Sequence, residues 1–357
     1  MPMLCLARET VTQRVELGRV RQFEKEIFRI GADEPVVVVR KRRVAREPLA
    51  PVVLVHGFGQ NRYAWHLPER SFANYLAEQG FDVFNVDLRG HGRSAELGGR
   101  RGHGVDEYIR GDVPAVIDAV EQLTGFKRTF LMGHSLGGIC VAAAAARAPD
   151  RVAGVVTIGS PHALGRGHLV LGIALRAAGH TLGRTGVMCR SGARFPVDLI
   201  GRGVHATRMA WNAARLPIPV RVWKPGTLSN QELRSYMRAF DCASFGTIHD
   251  LIELGATGVL RSRADGSSYT ELIERSELPL LTVCGTADLL ANPRSVKPMY
   301  ERSRSRDKRY VKVDAGHADL LIGRQAPVLV WPTVRDWLDA RVRLARGALT
   351  HRAVSTR

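Results

Sequence analysis

No apolar run in this 357-residue chain approaches the roughly 18 residues of a membrane span. The nearest, Leu169 to Ala178, is broken by Arg176, so the protein is expected to be soluble. Met1 to Ile30 lacks the apolar stretch of a secretory leader and carries charge from Arg8 onward, which sets the expectation of a cytoplasmic protein. The five cysteines, Cys5, Cys140, Cys189, Cys242 and Cys284, are scattered, odd in number and without CxxC spacing or histidine-rich neighbours. That pattern argues against both a disulfide framework and a zinc site. Aromatic residues make up only 6% of the chain and do not interleave with its densest basic stretches, "ERSRSRDKR" (Glu301 to Arg309) and the tail from Arg341 to Arg357, so nucleic acid is not expected as a partner. Acidic residues are also short, 34 against 52 Lys and Arg, for a formal charge of +18. Two readings of that charge compete: an anionic head group or membrane surface as partner, and a compositional bias of an Ala-, Gly- and Val-rich chain that prefers arginine to lysine.

What the chain does have is a regular alternation. From Pro51, short apolar runs suited to parallel strands ("VVLV" 52–55, "FDVFNV" 81–86, "RTFLM" 128–132, "VAGVVTIG" 152–159, "LPLLTVC" 278–284, "RYVKV" 309–313) alternate with helical patterns over 69–79, 112–123, 136–147 and 293–302. Near-continuous apolarity in several of the runs fits a parallel sheet covered on both faces. Ahead of it, "QFEKEIFRI" and "PVVVVRKRRV" flank the turn signal "GADEP" and predict an antiparallel hairpin at the sheet edge. "WPTVRDWLDARVRLA" predicts a closing amphipathic helix with Val334, Trp337, Leu338 and Val342 on one face. Between about Ser160 and Arg275 helical segments replace strands. One of them opens on Ser229 and Glu232 at capping-box spacing, after a Pro-bearing connector, "LPIPVRVWKPG". The expected organisation is an α/β core in two parts, 1–159 and 276–345, with a helical lid inserted at 160–275 and a frayed basic tail at 346–357.

The chemistry centres on "FLMGHSLGG". A strand runs into Gly133-His134-Ser135-Leu136-Gly137 and then an Ala-rich helix, so Ser135 stands on a sharp turn where Gly133 and Gly137 remove colliding side chains. A serine hydroxyl needs a base, and the base needs an orienting group. His317 in "KVDAGHADLL" and Asp288 in "VCGTADLLANP" each follow an expected strand, in the order Ser, Asp, His. Asp314 and Asp319 compete for the acid role because they lie close to His317 in sequence. An oxyanion hole requires two fixed N–H donors. Phe58, in "LVHGFGQ" between Gly57 and Gly59, and Leu136 after the serine are the candidates. His56 and His134 are read as loop-to-core packing, His91 and Arg93 as a turn residue and a solvated charge. The lid stripe of Leu169, Leu171, Ile173 and Leu175 fits packing and an acyl pocket equally well.

Together "HGFG", "DLRGHGRS" (Asp87 to Ser94), "GHSLGG", "GTADLLANP" and "AGHADLL" resemble the α/β-hydrolase superfamily from Pro51 to Leu338, with a weaker likeness of 61–84 to lipases related to acid lipases. The resemblance implies the α/β-hydrolase fold and assigns Ser135 as nucleophile, Asp288 as acid, His317 as base, and Phe58 and Leu136 as oxyanion donors. Serine at the elbow separates the chain from the dehalogenase and epoxide-hydrolase branches, which carry a carboxylate there, and from polyhydroxyalkanoate synthases, which carry a cysteine. The expectation is a serine hydrolase acting on an ester or thioester with a hydrophobic or lipid-like acyl group. Neither cofactor nor metal is called for. An acyltransferase on the same triad and a silent binding protein on the same fold are the alternatives.

Overall fold

The computed structural model describes residues 2–185, 193–197 and 222–355. Its main sheet has nine strands: β1 (Met3–Glu16), β2 (Arg19–Ile30), β3 (Val36–Arg43), β4 (Pro51–Val55), β5 (Asp82–Asp87), β6 (Thr129–His134), β7 (Val152–Ile158), β10 (Leu280–Gly285) and β11 (Lys308–Val313). β8 (Arg194–Phe195) and β9 (Ala243–Ser244) form a separate pair within the interruption. The order across the main sheet is β1-β2-β3-β5-β4-β6-β7-β10-β11; β5 to β11 run parallel and β1 to β3 antiparallel. The antiparallel hairpin expected at the sheet edge is β2 and β3, but it is not at the edge, which β1 occupies. β1 was not expected from the sequence; it pairs along β2 from Met3 to Glu16 and has one buried residue, Val15.

The parallel strands alternate strictly between two apolar layers. Val52 and Leu54 of β4 face a layer closed by Trp65, Phe72, Leu76 and the Trp331–Ser355 helix, while Val53 and Val55 face one closed by the Val113–Thr124 and Leu136–Arg147 helices. Burial of both faces is why these strands read as continuous apolar runs. The closing helix buries Val334, Trp337, Leu338 and Val342 as expected, and Trp331 stacks on Phe72 at 5.2 Å. It runs on to Ser355, through residues that the sequence left to a frayed tail.

The chain turns from β4 to β5 on one side and from β6 to β7 on the other, so the loops leaving β4 and β6 part at the centre of the sheet. Such a switch in strand order opens a crevice at the carboxyl ends of the strands.

Between β7 and β10 lie the helices Leu169–Thr185, Asn230–Tyr236, Phe245–Thr257 and Tyr269–Arg275. Ser229 and Glu232 form the expected capping box. The first helix packs on Phe245–Thr257, where a Cβ on Gly255 would lie 2.5 Å from Leu175 and one on Gly179 2.5 Å from Ala256. Leu175 therefore packs inside this segment, whereas Leu169 and Ile173 are exposed. The Tyr269–Arg275 helix joins the core layer over the Leu136–Arg147 helix through Tyr269 and Ile273. Most of the connector "LPIPVRVWKPG", together with residues 186–192 and 198–221, lies outside the described residues. No helix among the described residues is long and apolar enough to cross a membrane.

Candidate active site

β6 delivers Ser135 to the carboxyl edge of the sheet, and the chain turns there into the Leu136–Arg147 helix. Ser135 has φ +53° and ψ −124°, a conformation that a side-chain-bearing residue holds at a cost. Its amide donates to Ile158 O at 2.9 Å and its carbonyl accepts from Gly138 N at 3.0 Å, which fixes the turn. The glycines are required by contact. A Cβ on Gly133 would stand 2.3 Å from the carbonyl of Gly137, one on Gly137 2.3 Å from His56 O, and one on Gly138 1.9 Å from Ser160 Oγ. Packing of this closeness lets the helix start directly against β4 and β6. Ser135 itself is half-buried, although its neighbours on both sides are buried.

Asp288 follows β10 and is 1% exposed. Its Oδ1 accepts from Leu290 N at 2.9 Å and Ala291 N at 2.8 Å, and its Oδ2 lies 2.7 Å from His317 Nδ1. The two backbone donors hold the carboxylate in one orientation, which leaves Oδ2 to receive the imidazole N–H. His317, after β11, is 5% exposed, and its ring lies against Gly159, where a Cβ would be 3.3 Å from Nδ1. Gly159 follows Ile158, the residue that holds the Ser135 amide. Ser135, His317 and Asp288 are thus gathered at the ends of β6, β11 and β10, around the end of β7.

The other two carboxylates do different work. The Asp314 side chain is 65% exposed and pairs with Lys224 at 2.5 Å. Asp319 is buried and accepts from Gly316 N at 2.9 Å, Lys224 N at 2.6 Å and Thr227 Oγ1 at 2.6 Å, while burial raises its pKa. It ties the His317 loop to residues 224–227.

The loop after β4 lies on the serine: a Cβ on Gly57 would be 3.0 Å from Ser135 Cβ. Gly59, at φ +59°, leaves no room for a side chain beside Val197, whose atoms would be 2.6 Å away. Phe58 lies between these two glycines, and Leu136 opens the helix directly after Ser135. Three residues that the sequence reading passed over hold this loop. Gln60 Oε1 accepts from Gly57 N at 3.2 Å while its Nε2 donates to the Tyr236 hydroxyl at 2.7 Å, and Asp241 N donates to Gly59 O at 2.7 Å. Gln60 stood inside the quoted "LVHGFGQ"; Tyr236 and Asp241, far along the chain, gave no local signal.

The neighbouring histidines are structural. His56 Nε2 accepts from Leu88 N at 3.2 Å, so its Nδ1–H donates to Gly57 O at 3.0 Å, and burial lowers its pKa. His134 is buried with Nε2 3.2 Å from His317 O and its ring 4.5 Å from that of His317; burial holds it well below the usual histidine range. His91 corrects the expectation of an ordinary turn residue. Gly92, at φ +46°, folds the chain tightly over the Asp87 carboxylate and turns His91 inward, 3.1 Å from the Tyr108 hydroxyl and 5.0 Å from the His56 ring. Arg93 is partly buried, with its backbone N–H donating to Asp87 at 2.9 Å.

His249, Asp250 and Glu253 bring ligand atoms within 4.8 Å of one another. Asp250, however, is already committed to Arg263 Nε at 2.9 Å and Val105 N at 2.8 Å, which makes it an anchor of the 103–105 loop.

Residues 50–171 match the family model described as the alpha/beta hydrolase fold. Among curated proteins the chain is similar to the poly(3-hydroxyalkanoate) polymerase subunit PhaC of Haloferax mediterranei, 24% identical over 307 residues, which cover 82% of this chain and 59% of that protein. It is also similar to epoxide hydrolase B of Mycobacterium tuberculosis, 38% identical over 116 residues, covering 32% of this chain and 30% of that one. The chain thus spans less than two thirds of the length of these relatives. Among solved structures a thermophilic esterase from Thermogutta terrifontis superposes with a TM-score of 0.58 at 19% identity, covering 94% of this chain and 99% of that one. The chain has the α/β-hydrolase fold, and residues 50–171 carry its family pattern.

Proposed function

We propose that the protein is a serine hydrolase that cleaves a carboxylic ester or thioester through an acyl-enzyme on Ser135. The observation that carries the reading is the strained Ser135 turn beside a histidine whose Nδ1 is held by a buried, backbone-anchored carboxylate at 2.7 Å. In this reading Asp288 keeps the His317 proton on Nδ1, so Nε2 takes the Ser135 proton as Oγ bonds to the acyl carbon. His317 then gives that proton to the departing oxygen or sulfur as its bond to the acyl carbon breaks. Water repeats the sequence on the acyl-enzyme and restores the serine. The Phe58 and Leu136 N–H groups receive the negative charge of the tetrahedral intermediate, and loss of one such donor costs about 3 kcal/mol of barrier. The helix that begins at Leu136 adds its positive end at the same place.

Residues 160–275 serve as the cap in this reading, and their Leu, Ile and Val content fits a hydrophobic acyl group. The net positive charge adds an anionic head group or anionic lipid surface as partner. A salt titration of substrate affinity with no slope would remove that part. The deciding experiment is labelling with a fluorophosphonate: the parent should label and Ser135→Ala should not. An unlabelled parent would leave a silent binding protein on this fold as the better reading, and equal labelling of the variant would move the nucleophile elsewhere.

One observation favours a second reading. The similarity to a polymerase subunit extends over 82% of the chain, and an acyl acceptor other than water would need no change in the triad. Product analysis with a competing alcohol separates transfer from hydrolysis.

A further inference from the structure

Away from Ser135, a cavity of about 250 Å³ opens on the face of β2, β3 and β5 beneath the turn at residues 62–66. Its walls carry Lys25, Lys41, Arg62, Arg93 and His66 and include no carboxylate; none of Ser135, Asp288 and His317 lines it. Lys41 stands directly opposite Lys25 in the β2–β3 register. Like charges in that relation repel, and a lysine is seldom fully buried without a counter-charge. Yet Lys41 is only 4% exposed, and its ammonium donates to two neutral acceptors, Gln13 Oε1 at 2.5 Å and Asn74 Oδ1 at 2.8 Å. Lys25 and Arg62 are compensated, by Glu9 at 2.7 Å and by Asp87. Among the described residues no carboxylate forms an ion pair with Lys41 or Arg93.

We propose that this cavity is a binding site for a small oxyanion of the phosphate class, held by Lys41 together with Lys25, Arg62 and Arg93. An ammonium has three donors, so the two neutral bonds leave Lys41 one N–H for an anion. A tetrahedral oxyanion offers enough acceptor oxygens for the lysines and the guanidinium groups at once. The apolar part of the wall, Ile27, Val39 and Val83, leaves room for the short organic part of a phosphate monoester.

The protonation of Lys41 follows the same logic. Burial, with Lys25 and Arg62 adding repulsion, pulls its pKa down to about 7. The groups facing it are Lys25 of β2 with its partner Glu9 of β1, Arg62 of the turn with its partner Asp87, His66 and Arg93; His66 is held well below its usual range by burial and by Lys41, Arg62, Lys25 and Arg238. A bound anion reverses the balance and draws a proton onto Lys41.

The test is calorimetric titration of the full chain with inorganic phosphate at pH 7 and fixed ionic strength, with chloride as the control. The parent should bind saturably at one site, Lys41→Met should lose at least about tenfold in affinity, and Arg93→Gln should weaken binding separately. Sulfate, which does not titrate in this range, should bind at pH 8 with proton uptake in the parent and none in Lys41→Met. Glycerol 3-phosphate in place of phosphate distinguishes the source: tighter binding assigns the site to phosphate esters, weaker binding to the free anion. The proposal is overturned if phosphate at millimolar concentration gives no more heat than chloride, or if Lys41→Met binds as tightly as the parent. It is also overturned if sulfate binds the parent without proton uptake. Should Lys41→Met fail to fold, Arg93→Gln decides by the same affinity criterion.

Discussion

Asp288→Asn changes one group in the candidate site and leaves its shape intact. The Oδ1 position accepts from two backbone N–H groups, Leu290 and Ala291, so in the variant the amide oxygen stays there. The amide nitrogen then replaces Oδ2, 2.7 Å from His317 Nδ1. Two donors cannot face each other at that distance, so His317 must carry its proton on Nε2 and present a lone pair at Nδ1. The imidazole then has no lone pair for the Ser135 proton. Wrong-tautomer variants of Ser-His-Asp sites lose about 10⁴ in kcat, equivalent to about 5.5 kcal/mol of barrier. Asp314→Asn is the matched control. Its partner Lys224 is 40% exposed, so the pair contributes about 0–1 kcal/mol to stability and nothing to the imidazole. Steady-state kcat on p-nitrophenyl esters of graded chain length, with matched thioesters, measures both variants. An Asp288→Asn enzyme that keeps more than about a tenth of kcat, or an Asp314→Asn enzyme that loses more than Asp288→Asn, would refute the assignment.

Three further outcomes rest on packing and charge. Gly133→Ala would place a Cβ 2.3 Å from the Gly137 carbonyl and should cost about 3 kcal/mol in urea denaturation. Gly125→Ala, at φ +73° with nothing within 4 Å, should cost about 1 kcal/mol; equal losses would contradict the close-approach argument. Asp82→Ala would strip buried Arg40 of its bidentate partner, leaving Glu26 alone at 3.0 Å, and should cost about 3–5 kcal/mol in the same assay. Lys41 makes stability depend on pH. Its folded pKa of about 7 lies below the roughly 10.4 of a free lysine, so between those values the unfolded chain holds the additional proton and stability rises with pH. The penalty is fully present below pH 7, on the order of 5 kcal/mol. Lys41→Met should flatten this part of the curve in phosphate-free buffer, and an unchanged slope would show that another group causes it.

The parts of the fold that were readable in the sequence share one property: their burial is imposed by the sheet on both faces. β4, β6, β7 and β10 are almost wholly buried, so their runs are apolar and their ends fall within two or three residues of the expected ones. β1 was illegible for the opposite reason. It is an edge strand whose side chains are mostly in water, held through its pairing with β2, and "MLCLARETVTQRVE" carries little apolar patterning. The site divides in the same way. Gly133, Ser135, Gly137, Asp288 and His317 lie at strand ends, where the local pattern fixes position, so a linear reading could bring them together. Asp319 was seen only as a rival acid because its partners Lys224 and Thr227 lie about a hundred residues earlier, in a segment with no strand pattern to place it.

Those distant partners bear on how the site is kept in shape. The loop at 57–61, which carries the proposed oxyanion donor Phe58, is fastened from far along the chain by Tyr236 through Gln60, by Ala239 O accepting from Asn61 N at 3.0 Å, and by Asp241, which holds Gly59 and also accepts from Gly92 N at 2.5 Å. The His317 loop is fastened by residues 222–227 through Asp319 and by Ala318 N donating to Val222 O at 2.6 Å. Both loops that flank Ser135 therefore take their positions from one stretch of the segment between β7 and β10. A donor that must meet an oxyanion works only if it is fixed before the charge develops, so in the proposed mechanism this stretch does more than cover the substrate. Tyr236→Phe tests the coupling: it removes the 2.7 Å bond to Gln60 while keeping the buried ring, and Gln60 in turn holds Gly57 N. If the segment sets the oxyanion loop, the variant should lower kcat and leave KM nearly unchanged, since the lost positioning matters most in the transition state. A rise in KM at constant kcat would assign Tyr236 to substrate binding and remove the coupling.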